Sequence, residues 1–103
     1  MWANWGEYEE TLPRRNWVHN LEHGGIVLSY VCSDGCESDL AVLREVIAQR
    51  PDARIILTPD PELPDVRFAA ISWTWVYRFE SPDLDTLLCF VDQHFNQAPE
   101  DVP

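Results

Sequence analysis

The sequence predicts one α+β domain, a small three- to four-stranded sheet covered by two helices and entered through an irregular, tryptophan-rich N-terminal arm. Three observations carry this. The β-branched and aromatic run Ile26–Cys32 (IVLSYVC) lies between Gly24-Gly25 and Ser33-Asp34-Gly35, as a buried central strand does. Two later segments repeat apolar residues at helical spacing: Leu40, Leu43, Val46 and Ile47 in one, and Leu84, Leu87, Leu88, Val91 and Phe95 in the other. A chain of 103 residues holds one hydrophobic core and is too short for two ordinary domains, so residues 1–103 are read as one unit.

Residues 1–16 carry Trp2, Trp5, Tyr8, Leu12 and Pro13 without a period of 2 or 3.6. That predicts an ordered but irregular arm, pinned to the body by its aromatics. The strand Ile26–Cys32 comes next. After it, Asp34 or Ser33 can cap a helix, with Glu37 three residues past Asp34 as in a capping box. Pro51 ends that helix near Arg50, because a residue before proline is driven out of helical geometry. Arg54–Thr58 (RIILT) is a second strand, which a right-handed crossover would place parallel to the first. The segment Pro59–Pro64 closes it, since prolines cannot donate to a ladder. Phe68–Phe79 reads as a third strand, or as a hairpin lacking an obvious turn residue. Its aromatics Trp73, Trp75, Tyr77 and Phe79 alternate with Thr74, Val76 and Arg78, which suits one covered and one partly wet face. Ser81-Pro82 opens the last helix as N-cap and first-turn proline. The polar tail, residues 99–103, is expected to fray.

Eighteen acidic residues stand against seven arginines, with no lysine, for a formal net charge of −11. Such a surface repels phosphate backbones and anionic head groups, so neither nucleic acid nor an acidic membrane is an expected partner. The charge reads first as a solubility device; a cationic protein partner or a metal-import surface is the functional alternative. The longest apolar stretch is far below the roughly 20 residues of a membrane helix, which predicts no membrane insertion. The acidic start MWANWGEYEE lacks the apolar core of a signal peptide. The three cysteines leave the compartment open. No phosphate loop, nucleophile elbow or nucleotide fingerprint occurs, so no enzyme class is indicated.

The residues with chemistry to offer gather in Trp17–Cys36. His19 and His23, four apart, would stack two imidazoles on one helical turn, as metal-binding helices do. Glu22 immediately precedes the second histidine, which is not the order of the H-E-x-x-H peptidases; it is read as a hydrogen-bond partner that orients an imidazole, with a base or a salt-bridge residue as the alternatives. Cys32 ends the predicted strand and Cys36 enters the predicted helix, where backbone N–H groups and the helix dipole favour a thiolate. Three readings follow. In the first, His19, His23, Cys32 and Cys36 bind copper(I) or zinc, the ions that suit mixed imidazole and thiolate ligands. In the second, Cys32–Cys36 is a disulfide in a non-catalytic binding module. In the third, the pair is a thiol–disulfide oxidoreductase site in which Cys36 attacks and Cys32 resolves, although its three-residue gap departs from the two-residue redox motif.

The run W-V-H-N-L-E-H-G-G-I-V-L-S-Y-V-C resembles the bacterial family catalogued as domain of unknown function 3105, whose hallmark is a H-x-L-E-H-G block leading into an apolar strand. Trp17, His19, Leu21, Glu22, His23, Gly24 and Gly25 match it position by position. The likeness continues through Trp2–Tyr8, the Cys32/Cys36 loop, Thr58–Pro64 and the segment ending at Trp73. The resemblance implies an extracytoplasmic home. Typical members also carry a S-G-P-H segment upstream of the W-G-x-Y block, which implies that a site using its histidine is incomplete here or that the chain is a fragment.

Overall fold

β2 (Ile26–Tyr30) is the strand on which the molecule is organised, because it is apolar on both faces and pairs on both edges. A computed structural model of the chain describes residues 5–31, 36–63 and 66–95. Around β2 stand β1 (Gly6–Glu7), α1 (Arg14–Glu22), α2 (Glu37–Gln49), β3 (Ile55–Pro59), β4 (Phe68–Ser72), β5 (Trp75–Phe79) and α3 (Leu84–His94). The strands form one sheet in the order β1-β3-β2-β4-β5. β1, β3 and β2 are parallel, while β4 and β5 continue antiparallel.

Both parallel crossovers obey one rule. Passing from β1 to β2 steps over β3 in one direction, and passing from β2 to β3 steps back. Right-handed crossovers of opposite sense put their helices on opposite faces of the sheet. The packing agrees. Ile26, Leu28, Ile55, Leu57, Phe68 and Ala70 face α2 and α3, meeting Leu40, Leu43, Val46, Leu87 and Val91. Val27 and Ile56 face α1, meeting Trp17 and Leu21, with Trp5, Tyr8 and Trp73 around them.

The α+β class holds, but among the described residues there are five strands and three helices rather than three to four strands and two helices. Each addition has a physical reason. α1 (RRNWVHNLE) buries only Trp17, Asn20 and Leu21, a stripe of one turn that is too short to register as a period. β1 is two residues long and is a strand only through its pairing with Ile56 and Leu57 of β3. The arm is thus partly regular. Tyr8 N donates to Leu57 O at 2.7 Å, Leu12 N donates to Thr58 Oγ1 at 3.0 Å, and the Arg44 guanidinium grips Glu7 at 2.9 Å.

Phe68–Phe79 is a hairpin in which Ser72 pairs with Trp75. The turn between them is Trp73-Thr74, and Thr74 takes a φ of 69°, a conformation that glycine or asparagine adopts more readily. Hence the turn carries no ordinary sequence signal. β3 starts one residue later than Arg54, which has a left-handed φ of 48°. α2 ends at Gln49 with Arg50 as its C-cap, near the expected point, but its N-cap is Cys36, without a side-chain cap bond; Ser33 and Asp34 lie outside the described residues. α3 is capped by Asp83 rather than Ser81, its Oδ2 accepting from Thr86 N at 3.0 Å and Thr86 Oγ1 at 2.6 Å. Residues 99–103 lie outside the described residues. Among the described residues no helix is long and apolar enough to cross a membrane.

Candidate functional site

α1 ends in a turn that accounts for the order of residues around the two histidines. His23 is the C-cap, its backbone N–H donating to Asn20 O at 3.1 Å. Gly24 follows at φ 86°, the left-handed position at which helices commonly stop, and its N–H donates to Leu21 O at 3.0 Å. Gly25 N then donates to Asn20 O at 3.1 Å, turning the chain into β2. Four residues apart on this last turn, His19 and His23 bring their rings to a centroid distance of 5.0 Å, tilted by 43°. Both are half-buried, as is Glu22 between them. Glu22 makes no hydrogen bond to either imidazole among the described contacts.

At the other end of β2 the chain enters α2 through Cys36, which is 6% exposed and disulfide-bonded. Cys32 lies outside the described residues. Cys89 is an exposed free thiol on α3, in keeping with its place off the apolar stripe. Asp39 in the first turn of α2 is ion-paired to Arg67 at 3.4 Å.

The topology does not bring His19 and His23 to Cys36. The four steps of β2 from Ile26 to Tyr30 separate the ends by about 13 Å at a rise of roughly 3.3 Å per residue. The histidines also belong to the helix on one face of the sheet, and Cys36 caps a helix on the other. Among the described residues no group of three or more His, Cys, Asp or Glu is placed to hold a metal ion.

The family model described as "Protein of unknown function (DUF3105)" matches residues 1–103, the whole chain. The chain belongs to the DUF3105 family. No curated protein and no solved structure matches it significantly.

In this DUF3105 domain the H-N-L-E-H-G-G block divides by role. Asn20 and Leu21 are buried, Gly24 supplies the left-handed stop, and Gly25 lies against Trp5, whose ring carbons would stand 2.7 and 2.9 Å from an added Cβ. These four positions are accounted for by the turn. The side chains of His19, Glu22 and His23 make none of these turn contacts. His94, by contrast, lies between Trp75 and Phe90, with ring centroids at 5.1 and 4.5 Å, as a packing residue. Sequence reasoning passes over Asp60, which is 3% exposed and ion-paired to Arg14 at 2.8 Å. Its only signal is an acid set between Pro59 and Pro61 in a loop that otherwise reads as a strand terminator.

Proposed function

We propose that this DUF3105 domain is a thiol–disulfide module whose redox pair is Cys32 and Cys36. The observation that carries the reading is the position of Cys36: disulfide-bonded, at the N-cap of the helix of a β2–α2–β3 parallel unit. A cysteine pair entering the helix of a βαβ unit is how thioredoxin-type dithiols are placed. With Cys89 a free thiol, the reading pairs Cys36 with Cys32, the third cysteine of the sequence. An oxidising compartment outside the cytoplasm, which the family resemblance also implies, suits a standing disulfide.

The cover on Cys36 favours roles in the reverse of the order expected from helix position alone. Cys36 is covered, so an incoming thiolate attacks the sulfur of Cys32. An S–S bond forms between substrate and Cys32, and Cys36 is expelled as a thiolate at the end of α2 where the unsatisfied N–H groups lie. A stabilised leaving thiolate speeds that step. The substrate's second thiolate then attacks the substrate sulfur of the mixed disulfide and releases Cys32. The substrate dithiol becomes a disulfide, and its two protons and two electrons are transferred to the protein pair.

Exchange with a reduced dithiol peptide, followed by intact mass, tests this. We expect the wild type and Cys89→Ser to oxidise the peptide and Cys36→Ser to lose the activity entirely. Oxidation by Cys36→Ser at the wild-type rate would exclude the reading.

The paired rings of His19 and His23 favour a second, independent reading, in which they hold zinc or copper through two imidazoles, the remaining positions being filled by water or by groups outside the block. Glu22 is then available to orient an imidazole. Titration with zinc, and with copper(I) under reducing conditions, should show binding that His19→Ala and His23→Ala each remove. Equal binding by the wild type and both variants would place any metal elsewhere.

A further inference from the structure

Beneath the first turn of α1 lies a cavity of about 220 Å³ that belongs to neither the cysteine nor the histidine site. Arg14, Trp17, Asp60 and Arg78 line it, together with the apolar side chains of Ile71 and Val76. We propose that it binds a small organic monocarboxylate.

Three observations point there. Trp17 is 6% exposed, and its indole Nε1–H is buried without a hydrogen-bond partner. Buried donors are rarely left so, because leaving one unmade is destabilising; a ligand oxygen supplies the acceptor. The charge at the cavity is also unlike that of the molecule. Of seven arginines in a chain of net charge −11, two line this one space. Asp60 offsets one guanidinium through its ion pair with Arg14, while Arg78 makes no ion pair among the described residues. Two cations against one carboxylate leave a single positive charge, which a monoanion neutralises. Guanidinium forks match the geometry of a carboxylate. Size and lining define the rest of the ligand. A space of about 220 Å³ suits a short ligand, and Ile71 and Val76 offer apolar contact to a short aliphatic body, which an inorganic anion would not use.

The Trp17 indole resonance reports on the site directly. In a ¹H–¹⁵N spectrum of the ¹⁵N-labelled protein it is assigned as the indole peak missing from Trp17→Phe. Titration with isobutyrate, up to tens of millimolar, should move that peak, whereas isobutyramide, the neutral isostere, should leave it in place. Arg78→Gln changes an exposed side chain and should keep the rest of the spectrum, but weaken the isobutyrate response about tenfold, as loss of one charge-assisted contact does. A Trp17 peak that isobutyrate does not move overturns the proposal. So does one moved equally by isobutyramide, or equally in Arg78→Gln.

Discussion

Phe68→Ala is expected to cost about 3–5 kcal/mol, the range for removing a fully buried phenylalanine. Phe68 is 0% exposed and sits where β4 meets both helices of its face. Its ring stacks on Phe79 at 5.4 Å with an interplanar angle of 11°, and Phe79 in turn stacks on Tyr77 at 4.9 Å. Truncation leaves a cavity and removes the first ring of that series. A small domain has only about 5–15 kcal/mol in total. In urea the midpoint should fall by about 1 M or more, taking a slope of roughly 1–3 kcal/mol per molar. Phe68→Leu, which keeps most of the volume, should lose far less. A midpoint unchanged by Phe68→Ala would mean that the β4 core is not packed as described.

Gly25→Ala is expected to destabilise by about 1–3 kcal/mol, the cost of overpacking. The added methyl meets two ring carbons of Trp5 at 2.7 and 2.9 Å and the Asn20 carbonyl oxygen at 3.1 Å. The ring is bulky and the carbonyl is backbone, so neither gives way easily. Trp5→Leu in the same chain should recover part of the loss, a coupling that a double-mutant cycle measures by denaturant unfolding. The recovery is partial because the carbonyl contact remains. Full additivity of the two changes would show that the arm does not seat on Gly25.

The sheet was legible wherever the sequence kept a period over several residues. β2, α2 and α3 repeat apolar residues often enough to fix their type, and Pro51 marks the end of α2. Elements that depend on tertiary pairing were not legible. β1 exists through two pairings to β3, and α1 has a mostly polar sequence of which Trp17, Asn20 and Leu21 are buried. The hairpin turn was hidden because Thr74 adopts a left-handed φ without the glycine that usually announces one.

The candidate site was legible residue by residue but not as a constellation. Spacing alone put His19 beside His23, since four residues make one helical turn. The strand between His23 and Cys36 was legible, but nothing in their spacing says that the helices carrying them cover opposite faces of the sheet. Among the described residues His19 and His23 come together at the end of α1, whereas Cys36 enters a helix on the other face of the sheet; Cys32 lies outside the described residues. The Trp17 cavity was invisible in the sequence, because Arg14, Asp60 and Arg78 come from α1, the loop after β3 and β5, which meet only in three dimensions.

The reduction potential of the Cys32–Cys36 pair tests the central claim most directly. It is measured by equilibrating the folded protein in glutathione buffers and counting alkylated thiols by mass, with Cys89→Ser as background. The account predicts reversible reduction at a potential above about −300 mV, in the range of labile and catalytic disulfides, with the fold intact in both states. A pair that resists glutathione and opens only when the protein unfolds would be a structural staple and would contradict it.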